Sequence, residues 1–461
     1  MDLVIAGGKR IAARATPRAD LGIRRGRIVT VGRISRAERR RAGRTIDARG
    51  CLVLPGGVDP HVHFDLTIGP GMTTADDFGS GSRAALAGGV TTFIDYTTPE
   101  PDQTPLQAFG ARRALADRAS AADYNLHNVL VAWRPAWRAD LAALVRRGAP
   151  SVKLFMIYRD RGWQADDGML FEVMEHCRAL GVTVCLHAEN DALIETLTRR
   201  ARARPGASAA ELAMARPPLV EEEAAVRAIT LAEATGARLH LVHLSTAGAA
   251  RAVGLARSLG LPVSGETCPQ YLALTRRKLS GRSGHLFGCC PVLRDACHCE
   301  GLLEALGAGW LDAVSTDHCC FTRAQKDTWD GDFTRIPYGL PGVETSLCLT
   351  WTLGPAAGKL SLARWQYLHT EGPSRLFGLH PRKGSLTPGA EADVVVWDPE
   401  ARRRIRARDL QTDTDWSPYE GRWVSGLARH VLLRGREVAR EGRYTGGEAR
   451  GRYVPRKRAR R

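Results

Sequence analysis

Residues 151 to 189 read SVKLFMIYRDRGWQADDGMLFEVMEHCRALGVTVCLHAE. The stretch opens on a β-rich run, SVKLFMIY (151 to 158), and passes through a helical pattern, DGMLFEVMEHCRALG (167 to 181), that ends on the glycine expected just past a helix terminus. It then returns to a second β-rich run, GVTVCLHAE (181 to 189). Strand, helix and strand in so short a span form the repeating unit of a parallel sheet. Upstream the same alternation recurs with CLVLPGGVDPHVH (51 to 63), GVTTFIDY (89 to 96) and YNLHNVLVAW (124 to 133). Downstream come ARLHLVHLS (237 to 245), LPVSGET (261 to 267) and LDAVSTD (311 to 317). Helical patterns fill the gaps; TTADDFGSGSRAALAG (73 to 88), for example, opens on a Thr/Asp start signal. Eight β-rich runs alternating with helices predict an α/β chain folded as a (β/α)8, TIM-like barrel.

The two ends differ from the middle. LVIAGGKRI and LGIRRGRIVTVG near the start, and GSLTPGAEADVVVWDP and HVLLRGREVAREGRY near the end, are short β-like pieces with turn signals and no convincing helix between the first two. Similar patterns at both ends are explained by one small β-sandwich domain built from the two termini. The expected division is 1–50 for its N-terminal part, 51–383 for the barrel with its C-terminal helices, 384–446 for its C-terminal part and 447–461 for a basic tail. That tail is expected to be extended or disordered, or to pack on a neighbouring subunit.

Composition narrows the function classes. With 461 residues, 44% hydrophobic and 25% charged, the chain is an ordinary globular protein, but its formal net charge of +17 is not ordinary. Nearly all the positive charge is arginine, which together with abundant Ala and Gly points to a GC-rich genome. The basic runs RAERRRAGR (36 to 44) and RKRARR (456 to 461) come with no recognition module, so a nucleic-acid partner is not expected. The start, MDLVIAGGKR, lacks the pattern of an export signal, and no apolar run reaches the 18 residues of a membrane span. Eleven cysteines at irregular spacing read as reduced and mostly buried, hence a cytoplasmic protein. Cys289, Cys290, Cys297 and Cys299 invite a zinc-knuckle reading but lack paired CxxC spacing.

Polar residues recur at the C-terminal ends of the eight runs, where barrel active sites are built. His61 and His63, in VDPHVHFD (58 to 65), alternate on one face of the first run; Lys153 sits in the fourth, His187 closes the fifth, His243 the sixth and Asp317 the eighth. Lys153 is a lysine in an apolar strand of a chain that otherwise prefers arginine. Desolvation would lower its pKa, and a neutral amine can add carbon dioxide to give a carbamate whose two oxygens can bridge two metal ions. His61, His63, Asp317 and one carbamate oxygen would then serve one ion, and His187, His243 and the other oxygen the second. The mixed N/O set suits Zn2+ first, with Mn2+, Co2+ or Fe2+ as alternatives. Two such ions would hold a bridging hydroxide for attack on a carbonyl carbon, with Asp317 as general base and then acid. His127 and His240 read as packed or supporting residues, and His318 as a structural hydrogen-bonding residue.

DPHVHFD, TTADDFGSGSRAALAGGVTTFIDY, SVKLFMIY, HAEN, VHLST, GETCPQYLAL, STDHC, GLPGVE, RLFGLHPRKGSLTPGAEADVVVWDP and WSPYEG, in order from about residue 50 to 425, resemble the dihydropyrimidinase/hydantoinase branch of the amidohydrolase superfamily. The resemblance implies hydrolytic opening of 5,6-dihydropyrimidines to N-carbamoyl-β-amino acids, or of 5-substituted hydantoins to N-carbamoyl-α-amino acids. It implies two zinc ions bridged by a carbamylated lysine at Lys153, a phenolic oxyanion donor at Tyr158 and a homotetramer. It also places Cys290 and Tyr338 against the substrate's amide edge. There the chain departs from the usual pattern, with CCPVLR in place of a serine before PPLR and PYGLPGVE in place of an asparagine. The loops around Phe64 to Gly71 and Arg159 to Gln164 would shape the pocket for an exocyclic substituent, with Trp163 either as an aromatic wall or exposed. Allantoinase remains open as an alternative. Asp65 stands where dihydroorotase-like members carry an arginine, and the retention of all six ligands argues against the non-catalytic scaffold homologues.

Overall fold

The computed structural model describes residues 1–11, 17–100, 102–204, 208–446 and 450–458. Its centre is an eight-stranded sheet of Gly57–Val62, Val90–Tyr96, Asp123–Val129, Ser151–Phe155, Thr183–His187, Arg238–Leu241, Val263–Thr267 and Ala313–Val314, arranged in sequence order. Every neighbouring pair is parallel. The last strand meets the first through a parallel bridge between Val62 and His318, and the Asp59 carboxylate accepts hydrogen bonds from Thr316 N and Oγ1 at 3.2 and 2.6 Å. The eight expected runs thus close into the expected barrel. The strands are buried nearly from end to end, as a parallel sheet covered by helices requires. Helix Pro218–Thr235 shows how the cover is built: Ala224, Ala228 and Ala232 recur at a spacing of four along its buried stripe, small enough for close approach to the sheet.

Two further sheets lie beside the barrel. A four-stranded sheet contains Leu3–Ala6, Asp20–Arg24, Arg27–Gly32 and Arg44–Asp47. A six-stranded sheet joins Lys9–Arg10 and Leu52–Pro55 to Val394–Arg404, Trp423–Leu433, Arg436–Arg440 and Arg443–Tyr444. Between them Ile5, Leu21, Ile23, Ile46, Val53, Val394, Val396 and Leu432 form a shared apolar core, so both ends of the chain do build one sandwich.

Three expectations change. The run from 51 to 63 is not one barrel strand: Leu52–Pro55 pairs antiparallel with Val394–Trp397, and only Gly57–Val62 enters the barrel. The switch falls at Gly56, where an added Cβ would stand 2.1 Å from Thr91 Oγ1. The first fifty residues do contain a helix, Arg36–Arg40, held by a Ser35/Glu38 capping box and burying none of its residues, so no apolar periodicity announces it. Finally, the described part of the basic tail is not loose. Residues 450–458 dock on the chain's own barrel: Tyr453 bridges to Tyr124, Val454 is fully buried, and Arg456 inserts at the N-terminal ends of the third and fourth barrel strands. There its guanidinium donates to Asn125 Oδ1 (2.6 Å), Leu126 O (2.9 Å) and Ser151 Oγ (2.6 Å). Its net charge hid a segment anchored by Tyr453 and Val454; residues 447–449 and 459–461 lie outside the described ones.

Candidate functional site

The C-terminal ends of the strands surround a cavity of about 500 Å³. His61, His63, Lys153, Tyr158, His187, His243, Cys290, Asp317 and Tyr338, nine residues singled out in the sequence, all line it. His61 Nε2 and His63 Nε2 each stand 3.2 Å from Asp317 Oδ1. The rings of His187 and His243 are 4.5 Å apart, and those of His61 and His243 5.2 Å. Tyr158, His243 and Asp317 all have positive φ (72°, 40° and 49°), a conformation that costs a non-glycine residue roughly 1–3 kcal/mol. The loops leaving three different strands hold this strain so that three side chains aim at one point.

Lys153 is buried, its Nζ 5.3 Å from the ring centre of Tyr96 and 5.2 Å from that of Phe155. Burial lowers its pKa to about 8, so a usable fraction of neutral amine exists near neutrality. This is the state that can add carbon dioxide. Burial likewise pushes His243 well below the ordinary imidazole value, with His187 and Lys153 adding repulsion. Asp317 is held well below the usual carboxylate range: burial alone would raise it, but the surrounding His61, His63 and His243 favour the anion.

Residues that the sequence reading passed over orient these side chains. Glu266 Oε1 lies 2.7 Å from His61 Nδ1, and its Oε2 lies 3.2 Å from His240 Nε2. With Glu266 ionised, the His61 proton sits on Nδ1 and Nε2 is left with its lone pair. Glu189 does the same from the other side, 2.7 Å from His187 Nε2, leaving Nδ1 for a ligand; Arg216 neutralises Glu189 at 2.8 Å. Tyr96 lies stacked against His63 at 4.9 Å and tilted against His61 at 4.5 Å. A carboxylate inside the apolar run LPVSGET and a tyrosine ending GVTTFIDY were the available signals. His127 bonds Ser151 Oγ and the Pro60 carbonyl, and His318 pairs with Asp76 at 3.0 Å while its Nδ1 accepts from Gly342 and Val343; both are structural, as expected.

The donor set fits a divalent metal centre, with His61, His63 and Asp317 gathered closely enough to hold one ion. His243 Nδ1 is buried without a hydrogen-bond partner, a costly state unless something else takes its lone pair, and His61 Nε2 has only the Asp317 carboxylate before it, at 3.2 Å. Three other acidic clusters are already filled by protein groups: Lys383 sits among Asp123, Glu391 and Asp393, Arg216 bonds Glu189 and Cys290, and Asp76 is taken by His318 and Asp413 N. Among the described residues, Cys289, Cys290, Cys297 and Cys299 do not gather into one metal-holding group, which removes the zinc-knuckle reading. Trp163 does form part of the cavity wall, 5.7 Å from the Phe155 ring.

Residues 52–438 match the model of the amidohydrolase family. A D-hydantoinase from Streptomyces coelicolor is 38% identical over 98% of this chain and 97% of its own. A D-phenylhydantoinase from Escherichia coli O1:K1 is 37% identical over 89% of each chain. The crystal structure of a dihydropyrimidinase from Brevibacillus agri superposes with a TM-score of 0.96 over 100% of both chains at 34% identity.

Proposed function

This chain belongs to the amidohydrolase family, in its dihydropyrimidinase/hydantoinase branch, and from that premise we propose that it opens cyclic amides and imides by hydrolysis. The substrates are 5,6-dihydropyrimidines or 5-substituted hydantoins, and the products N-carbamoyl-β- or N-carbamoyl-α-amino acids. The observation that carries the reading is the convergence of four histidines, Lys153 and Asp317 on one cavity beneath Tyr158.

His61, His63 and Asp317 would hold one divalent ion and His187 and His243 another, with Lys153 as its carbamate between them; Zn2+ suits this set best. When bound, such ions polarise a carbonyl and make water a nucleophile near neutral pH. Asp317 takes the proton of the attacking water at its carboxylate and returns it to the ring nitrogen as the C–N bond breaks. Tyr158, whose buried phenol stays protonated because its pKa is pushed well up, donates to the carbonyl oxygen as that oxygen gains charge. Cys290 and Tyr338 border the ring's amide edge. A homotetramer in the cytoplasm completes the proposal, the compartment resting on free cysteines that are buried except for Cys297. Among the described residues no helix is long and apolar enough to cross a membrane.

The test is to load the protein with zinc in the presence of bicarbonate and offer dihydrouracil, 5-phenylhydantoin, allantoin and dihydroorotate, following ring opening and metal content together. Opening of either of the first two with about two ions per chain is expected. Exclusive opening of allantoin or dihydroorotate, or no metal uptake, would overturn the reading.

A further inference from the structure

We propose that the preferred ring carries an anionic exocyclic substituent, a carboxylate on a short apolar stem, held by Arg161 and Arg335; this rests on the cyclic-amide reading above. Beyond the polar centre the cavity wall is apolar, with Leu66, Ile68, Met72, Phe155, Trp163 and Ile336, and then carries these two arginines. Among the described residues, the one carboxylate lining the cavity is Asp317, already taken up by His61 and His63. Apart from that centre, the charged side chains among the described lining residues are therefore of one sign.

Neither arginine is closely paired with a carboxylate among the described residues. Arg161 makes no salt bridge among the described residues, and its guanidinium lies over the Tyr158 ring, 5.1 Å from the centroid. Among the described residues Arg335 has a single ion-pair partner, Asp330, at 4.0 Å, and both side chains are largely exposed. Arg159, two residues before Arg161, shows the contrast: it faces Asp191 at 3.7 Å and Glu195 at 3.8 Å and does not line the cavity. A neutral substituent would partly dehydrate these loosely paired guanidinium groups without giving them a partner, whereas a carboxylate there accepts from one or both. The apolar wall beneath them covers the stem. Tyr158 links the two regions, since the ring that carries Arg161 also bears the phenol that faces the reacting carbonyl.

The experiment compares kcat/KM for 5-(2-carboxyethyl)hydantoin with that for 5-(2-carbamoylethyl)hydantoin, which has the same length and no charge, and includes unsubstituted hydantoin. In both, water adds its oxygen to C4, the C4–N3 bond breaks and N3 takes the proton, so the chemistry is matched. The acid should be favoured about tenfold, mainly through KM, from two partly desolvated ion pairs. That preference should shrink toward parity by roughly 0.5 M salt, where screening reaches only a few ångströms. Arg161→Gln and Arg335→Gln should each lower the acid-to-amide ratio severalfold, and Arg161→Lys should restore part of it. Equal rates on acid and amide, or a ratio indifferent to both substitutions and to salt, would overturn the proposal while hydantoin opening left the cyclic-amide reading standing. Failure to open any of the three by metal-loaded protein that still opens dihydrouracil would remove this proposal alone, and failure on dihydrouracil as well would remove both.

Discussion

Lys153 is where a single residue choice has the largest chemical consequence. An arginine there would keep its charge and could not become a carbamate; the buried lysine has its pKa lowered to about 8. Lys153→Ala is expected to bind fewer than two ions per chain by elemental analysis and to lose at least about a hundredfold in turnover, since the bridging group and its geometry go together. Retention of two ions at full rate would sink the carbamate assignment. Glu266 acts at one remove, through the His61 proton. Glu266→Gln should weaken metal binding about 10–100-fold in a chelator competition while the far-UV spectrum stays unchanged. His240 and His61 keep a polar partner in that variant, so a folding defect would be a different result from the one expected.

At the scale of elements, the C-terminal segment is the least expected part. Gly148, at φ +80°, lies so close beneath Pro455 that an added Cβ would come within 2.6 Å of it, and Arg456 then reaches three acceptors on the third and fourth strands. The segment therefore closes the barrel at the end opposite the cavity and steadies the strand that carries Lys153. Arg456→Ala leaves Asn125 and Ser151 buried with fewer partners and should cost about 2–4 kcal/mol in denaturant unfolding. A change below about 0.5 kcal/mol would mean the tail adheres without supporting the strands.

Across the whole molecule, barrel, sandwich and tail meet at Lys383. Its ammonium lies among Asp123 of the third barrel strand, Asp393 at the entry to the long strand Val394–Arg404, and Glu391, which also takes Arg382 and Arg452. Burial alone would raise the Glu391 carboxyl, but Lys383 and Arg382 hold it at about 2 against an ordinary value of 4.5. Because the folded value is the lower one, the stability it confers is complete above pH 4.5 and is lost as pH falls toward 2. Thermal melts of Glu391→Gln against the parent should differ most above about pH 4.5 and converge as pH approaches 2, the comparison between the two cancelling any acid loss common to both. A gap that stays constant with pH would show that the Glu391 charge is not what couples these parts.

The periodic alternation of strands and helices, and six ligand-type residues at the strand ends, are properties of local pattern, and the sequence by itself determined them. HxH and STD close their apolar runs and the lone lysine stands inside one, so all three were legible before any contact was known. What only the tertiary structure decided are pairings between residues far apart in the chain. Glu266 looks like an ordinary carboxylate until folding brings it against His61. The sheet switch at Gly56 depends on Thr91, and the fate of the basic tail on a slot formed by Asn125, Gly148 and Ser151. Short-range pattern encodes which face is buried; which distant group satisfies a buried charge is settled only when the barrel closes.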